Sequence, residues 1–213
     1  MAETRPAFQY ASLPQQQEAA QLGMWTFLAT EVLFFGGLIL SYCAYRYGYA
    51  ADFAAAGRHT KIAIGTANTA ILLTSSFLVA WAVAAAKVGL GGASAALLAA
   101  AALLGIVFLG LKGWEYSEEL AEHLVPALDF RFDPAHLHGA LMFFLFYFVA
   151  TGLHALHVMI GIVVLLVIAR KARRGAYSAH YHAPITVAGL YWHFVDMVWI
   201  FLFALIYLAG RSG

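Results

Sequence analysis

The stretch GALMFFLFYFVATGLHALHVMIGIVVLLVIARKARR at residues 139–174 decides the fold class of this chain. Its apolar part is longer than the roughly 20 residues that a helix needs to cross a bilayer. Before the terminal RKARR, its only ionisable side chains are His154 and His157. Backbone groups inside hydrocarbon must bond to one another, so an apolar segment of this length predicts a membrane-spanning helix.

Four further apolar segments of similar length accompany this one. They account for the composition of the 213-residue chain, which is 63% hydrophobic and 11% charged, whereas a soluble domain has about 25% charged residues. No run of about ten residues alternates as a barrel strand would. The sequence therefore predicts an all-α polytopic membrane protein, a bundle of five transmembrane helices. The predicted spans are Gly23–Tyr47, Ile62–Ala86, Ala93–Trp114, Gly139–Ala169 and Ile185–Ala209.

The polar segments define the rest of the organisation. Residues 1–22 lack the apolar core of a signal peptide, so we expect an unprocessed cytoplasmic tail followed by one transmembrane domain over residues 23–213. Residues 112–138 hold only two basic residues, Lys112 and Arg131, against many acidic ones, so we expect an acidic extracytoplasmic loop there. Its acidic residues are Glu115, Glu118, Glu119, Glu122, Asp129 and Asp133.

Charge and cysteine content exclude several classes of protein and set the orientation. The net charge is +1 and no basic tract is long enough for nucleic acid. The single cysteine, Cys43, excludes a disulfide framework and a Cys-based metal site. The basic loop Arg170–Arg174 directly follows the fourth span, which places that loop and the N-terminus in the cytoplasm and the C-terminus outside.

Five ionisable side chains lie deep in the predicted spans, where a charge costs about 3 kcal/mol. At about 1.5 Å per residue, Glu31 and His193 lie about 12 Å from the cytoplasmic helix ends, and Asp196 and His157 about 17 to 18 Å. His154 and His157 are three residues apart, as are His193 and Asp196, so each pair is expected to lie on one helical face. The sequence therefore predicts a buried polar cluster near one depth.

Four interpretations of this cluster compete on the residues alone. The side chains could form interhelical hydrogen bonds, worth about 0.6 kcal/mol each. Two histidines on facing helices could also bind haem. A carboxyl with a histidine neighbour is typical of a proton relay or a proton-linked transporter, with Glu31 as the carrier. A binuclear metal site needs more ligands than these five residues supply, and His123, His136 and His138 have no recognised metal spacing, so no metal site is predicted.

Five sequence stretches follow one another along the chain: GMWTFLATEVLFFGG (23–37), TANTAILLTSS (66–76), LKGWEYSEELAEHLVP (111–126), FFLFYFVATGLHALHVMIG (143–161) and YWHFVDMVWIFLFALIYL (191–208). Their motif residues are Trp25, Phe34, Phe35, Asn68, Glu115, Tyr116, Trp192 and Trp199. Together and in this order, the stretches resemble subunit III of the haem–copper oxidases of the cytochrome c oxidase type. The start at GMW, without two earlier helices, resembles the five-helix bacterial form.

The resemblance implies a subunit with no haem, copper or catalytic residue of its own. It implies subunit I as the main contact, subunits II and IV as further members of the complex, haem and copper in the catalytic partners, and bound structural phospholipid. Such a subunit stabilises subunit I and supports proton uptake in aerobic respiratory electron transport coupled to proton pumping. Glu31 matches the buried acid of the family, and His154 and His157 match its TG-x-H-x-x-HV motif.

The resemblance also implies a location and leaves two other functions open. We expect a multi-pass protein of a bacterial inner membrane that also contacts membrane lipids. Of the two histidines of the TG-x-H-x-x-HV motif, the depth estimate favours His157 as the partner of Glu31. The alternatives are an accessory subunit of a nitric oxide reductase and, from a different class, a stand-alone proton-coupled transporter.

Overall fold

A computed structural model describes Pro6, residues 8–126, Leu128 and residues 130–208. Some predicted features lie outside these described residues. They are Asp129, Ala209, the first residues of the tail and the C-terminus itself. Within them the chain forms six α-helices, and the last continues as a π-helical turn, Ala204–Leu208. The helices are α1 Leu13–Gly48, α2 Ala50–His59, α3 Ile62–Lys87, α4 Gly91–Ala121, α5 Leu137–Arg173 and α6 Ala183–Phe203.

Five of the six helices are long and apolar enough to cross a membrane. These are α1, α3, α4, α5 and α6 with its π-helical turn, while α2 is a short helix of 10 residues. The described residues contain no β-strand, only an isolated bridge between Ser178 and Tyr181. The prediction of an all-α bundle of five transmembrane helices is confirmed.

The first helix begins earlier than the sequence predicted. The Ser12 hydroxyl accepts a hydrogen bond from the Gln15 backbone N–H at 3.4 Å, and Pro14 lies in the first turn, so α1 begins at Leu13 rather than Gly23. Both features favour a helix start. The predicted tail is therefore helical from Leu13. The predicted connection after the first span likewise contains a helix, α2.

The predicted acidic loop over residues 112–138 is wrong at its beginning. Helix α4 continues past Trp114 to Ala121, and Lys112, Glu115 and Glu119 are buried in the bundle. Their spacing of three and then four residues places all three on one helical face, which can turn inward together. The segment that connects α4 to α5 is therefore limited to residues 122–136.

The spans alternate in direction, which gives the bundle two distinct ends. At the amino-terminal end, the Gln17 side-chain amide donates to the His180 carbonyl at 2.7 Å, joining α1 to the connection between α5 and α6. At the opposite end, Lys61 pairs with Glu118 at 2.6 Å. The hydrogen bond from Lys61 to Glu118 raises the pKa of Lys61 above its ordinary value.

The indole of Trp192, on α6, fills the centre of the bundle. Its Nε1 donates to the Ser75 hydroxyl on α3 at 3.0 Å. A Cβ atom at Gly105 of α4 or at Gly161 of α5 would lie 2.8 Å from the indole ring. Real Cβ atoms do not approach so closely, so these two glycines make the slot that the indole occupies.

Replacing Gly105 with alanine should destabilise the bundle because the new methyl group overlaps the Trp192 ring and Ile162. Overpacking of this kind costs about 1 to 3 kcal/mol. Gly110→Ala on the same helix is the matched control, since no atom lies within 4 Å of its Cβ position. Thermal unfolding in detergent measures both variants. Equal melting temperatures for the two would contradict the slot.

Candidate functional site

Glu31 of α1 and His157 of α5 form a contact between two membrane-spanning helices. The His157 Nε2 atom lies 3.2 Å from a Glu31 carboxyl oxygen. The Glu31 side chain is only 18% exposed and the His157 side chain only 15%. This is the contact that the depth estimate predicted, and it brings two titratable groups within hydrogen-bond distance inside the membrane.

The hydrogen bonds of His157 determine how many protons the pair holds. Its Nδ1 atom lies 2.8 Å from the Leu153 backbone carbonyl, which can only accept, so Nδ1 carries a hydrogen. The contact between Nε2 and Glu31 then needs one proton, carried either by the carboxyl group or by the imidazole. In both forms the pair has no net charge, which suits a low-dielectric surrounding.

Two aromatic residues hold His157 in place, one at its ring and one at its backbone. The Phe35 ring meets the imidazole edge-on, with 5.2 Å between centroids. The Tyr191 hydroxyl on α6 donates to the His157 backbone carbonyl at 3.1 Å. The pair is therefore supported from α1, α5 and α6.

The other predicted site residues do not join this pair. His193 Nδ1 bonds the Ser76 hydroxyl of α3 at 2.6 Å. Asp196 is buried, and neither of its carboxyl oxygens meets the geometry of a hydrogen bond with a described residue. His154 is buried between aromatic rings, 5.6 Å from the centroid of Phe108 and 5.2 Å from that of Trp199, and its nitrogens also have no partner there.

Helix geometry explains why the predicted single cluster is divided. Residues three positions apart differ by about 60° around a helix axis. That angle is enough to direct His157 toward α1 and His154 toward α4 and α6. Among the described residues, no hydrogen bond connects the Glu31–His157 pair, the His193–Ser76 pair and His154.

An open groove lies between α1 and α6 beside these groups. Its volume is about 680 Å³ and its lining is almost wholly apolar, with His193 as the one ionisable side chain among the described residues that line it. Trp25 and Leu33 of α1 line it and remain 58% and 77% exposed. An elongated apolar molecule can therefore bind in this groove next to His193.

A second polar site, which was not predicted from the sequence, lies in the opposite half of the bundle. The Lys112 ammonium donates to Glu115 at 2.9 Å, to the Tyr147 hydroxyl at 2.8 Å and to the Tyr207 hydroxyl at 2.7 Å. Tyr207 in turn donates to the other Glu115 oxygen at 2.7 Å. All three ammonium hydrogens are used, so the charge is both paired and hydrogen-bonded. We call Lys112, Glu115, Tyr147 and Tyr207 the Lys112 cluster.

The sequence contained a signal for this cluster. Lys112 and Glu115 are three residues apart and Glu119 follows on the same face, a spacing typical of paired side chains on a helix. The apolar run ends near Trp114, however, so hydropathy alone predicts a loop for the polar residues beyond it.

The remaining motif residues fall into three groups. Some bond between helices: Tyr116 contacts the Thr151 hydroxyl at 2.5 Å, and Trp199 Nε1 donates to Thr69 at 3.0 Å. Trp25 and Phe34 instead face outward and are exposed, and Asn68 is buried without a partner among the described residues. The aromatic residues of the first motif are thus divided between bundle packing and the outer surface.

The arrangement does not fit the haem interpretation. Both nitrogens of His157 are bonded, and the His154 ring packs between Phe108 and Trp199. In the part of the chain that the structure describes, no three His, Cys, Asp or Glu side chains form a group that could hold a metal ion.

Comparisons with known proteins give one consistent result. A family model described as "Cytochrome c oxidase subunit III" matches residues 5–211. Cytochrome c oxidase subunit 3 of Thermostichus vulcanus is 37% identical over 192 residues, covering 89% of this chain and 87% of that protein. The Bacillus subtilis (strain 168) protein of the same name is 32% identical over 194 residues, covering 90% and 87%. That of Branchiostoma lanceolatum is 33% identical over 194 residues, covering 88% and 68%. These names favour the oxidase over the nitric oxide reductase and transporter alternatives.

Replacing Glu31 should affect stability according to whether the new side chain can still bond Nε2 of His157. The side-chain amide introduced by Glu31→Gln can donate an N–H to the neutral imidazole, so this variant should unfold within about 1 kcal/mol of the parent protein. Glu31→Leu leaves Nε2 without a partner, which costs about 1 to 3 kcal/mol. Thermal unfolding in detergent compares the two, and equal losses would argue against the contact.

Proposed function

Because the chain belongs to the cytochrome c oxidase subunit III family and is a non-catalytic subunit of that respiratory enzyme, we propose that its Glu31–His157 pair supports proton uptake by the complex. The observation that carries the proposal is the 3.2 Å contact between a carboxyl and an imidazole within the membrane. The subunit also stabilises the catalytic subunit beside it. It acts without a redox centre of its own.

The pair has the chemistry that proton supply needs. With Nδ1 bonded to Leu153, one proton can lie on the Glu31 carboxyl or on His157 Nε2. Moving it between the two leaves the net charge of the pair unchanged, so no uncompensated charge is placed in hydrocarbon. Both side chains remain partly uncovered within this chain, so a group of a neighbouring subunit can contact the pair.

The apolar outer surface of the bundle supports a role inside a larger complex. Within an apolar stretch of 18 residues, only 17% of α1 is buried in the bundle, compared with 50% of the corresponding stretch in the last span. We infer that oxidase subunit I covers much of this surface, with subunits II and IV in the same complex and the haem and copper in the catalytic partners. The α1–α6 groove suits an acyl chain of a structural phospholipid.

The orientation follows from the basic end of α5. The last turn of α5 contains Arg170, Lys171 and Arg173, and this is the amino-terminal end of the bundle, where Gln17 meets His180. Clustered positive charge in a short connection favours the cytoplasmic side. We therefore propose a bacterial inner-membrane protein with its N-terminus in the cytoplasm and its C-terminus outside.

Glu31→Gln in the assembled oxidase should slow proton uptake and shorten the period of active turnover, because the amide cannot exchange the proton. Glu18→Gln, at an exposed position of the same helix, is the matched control. Oxygen consumption, the ratio of protons pumped to electrons transferred, and the turnover lifetime are measured on complexes of equal subunit content. If all three quantities match the parent and control complexes, the pair has no role in proton supply.

Ala29→Phe should reduce the phospholipid retained by the purified complex, because the ring fills the groove between α1 and α6. Leu40→Phe, at an outward-facing position of α1, leaves the groove unchanged and serves as the control. Lipid phosphorus per haem after detergent washing measures the difference. Equal phosphorus in both variants would show that the groove holds no lipid.

A further inference from the structure

The Lys112 cluster is connected to α1 through the last turn of α6. Tyr207 belongs to both the cluster and the π-helical turn Ala204–Leu208. Within the same turn, the Leu205 carbonyl accepts a hydrogen bond from the Tyr42 hydroxyl of α1 at 2.8 Å. One short segment thus contacts α4 on one side and α1 on the other.

The protein holds the Tyr207 ring in a shaped socket. A Cβ at Gly65 of α3 would lie 2.9 Å from the ring, so only glycine leaves room for it. Phe203 stacks on the ring with 5.5 Å between centroids, and the Lys112 ammonium lies 5.4 Å from its centre. Because a π-helical turn contains more residues than an α-helical turn, its geometry changes the direction of each side chain and carbonyl that follows.

We propose that Lys112 and Glu115 are positioning residues for α1. They hold the Tyr207 hydroxyl, Tyr207 holds the π-helical turn, and the turn presents the Leu205 carbonyl to Tyr42. The link between α1 and the bundle at this end of the membrane therefore depends on an ion pair located on α4.

The packing of α1 makes this link important. Its buried side chains are Leu28, Phe35 and Tyr42, so it has little packing to hold it. Lipid tails are as apolar as the side chains, which leaves helix association to close packing and hydrogen bonds. Glu31 is about 16 Å along the helix from Tyr42. Losing the Tyr42 bond therefore loosens the carboxyl-terminal half of α1, which is then held by ring contacts such as that of Tyr42 with Phe53, and lets Glu31 move relative to His157.

The effect on Glu31 rests on the proposed function, whereas the mechanical link does not. Hydrogen exchange of the α1 backbone measures the link directly and needs no enzyme turnover. A failure of the Glu31–His157 proposal would leave the exchange result unchanged, so the two ideas can fail separately.

Tyr207→Phe in the intact complex tests the link. The phenyl ring still fits the socket at Gly65, but the hydrogen bonds of the Tyr207 hydroxyl with Lys112 and Glu115 are lost. We expect amide exchange over residues 38–46 of α1 to rise by about fivefold to tenfold, the size expected for losing about one buried hydrogen bond. The protonated carboxyl band of Glu31 in the infrared spectrum, identified by its absence in Glu31→Gln, should also shift.

A second variant removes both members of the ion pair. Lys112→Met combined with Glu115→Gln avoids the large cost of an uncompensated buried ion. It should raise α1 exchange to a similar extent. Tyr116→Phe, which removes a different hydrogen bond, between α4 and α5, is the matched control and should leave exchange over residues 38–46 within about twofold.

A double-mutant cycle identifies the route of the coupling. If Tyr207 acts through Leu205 and Tyr42, then Tyr42→Phe combined with Tyr207→Phe should raise α1 exchange no more than Tyr42→Phe does alone. If the double variant instead raised exchange by the product of the two single-variant increases, the proposal would be overturned. Such a result would show that Tyr42 and Tyr207 hold α1 independently. Unchanged exchange in Tyr207→Phe, or an equal rise in Tyr116→Phe, would overturn it as well.

Discussion

The space that the Trp192 indole needs determines how four of the membrane-spanning helices meet. The ring lies in the slot between Gly105 of α4 and Gly161 of α5, and its Nε1 is bonded to Ser75 of α3. The neighbouring side chains of α6 are thereby directed to their own contacts. Tyr191 reaches the His157 carbonyl, and His193 reaches Ser76. The geometry around the proposed proton site therefore follows from the packing of one aromatic ring.

Polar side chains inside the membrane are stabilised here in two different ways. The Lys112 cluster neutralises a full charge and uses every ammonium hydrogen, and it is almost completely buried. The Glu31–His157 pair instead shares one proton between two groups at a more exposed position on the outermost helix. The first arrangement is suited to fixing helix positions and the second to exchanging a proton. In this member of the cytochrome c oxidase subunit III family, the two arrangements therefore lie in opposite halves of the bundle.

Pattern reasoning succeeded where the signal was local. The five spans were predictable because hydrocarbon requires long apolar helices, and the partner of Glu31 was predictable from depth along the helix axis. It failed for residues 112–121 because hydropathy cannot distinguish a polar helix face that is buried among partners from a solvated helix end. It also failed to place His154 and His157 on different sides of α5, since the helix that a side chain contacts depends on which neighbour lies in its direction around the axis.

The sequence by itself determined the fold class, the number of spans and the short set of ionisable residues in the membrane, because each follows from the cost of transferring a group into lipid. The tertiary structure alone decided which of those residues meet. It joined Glu31 to His157, left His154 among aromatic rings, and brought Tyr147 and Tyr207 from distant parts of the chain to Lys112. Such contacts depend on the rotation and register of packed helices, which are fixed by close fits such as Trp192 against Gly105 and Gly161 and cannot be read from hydropathy along one chain.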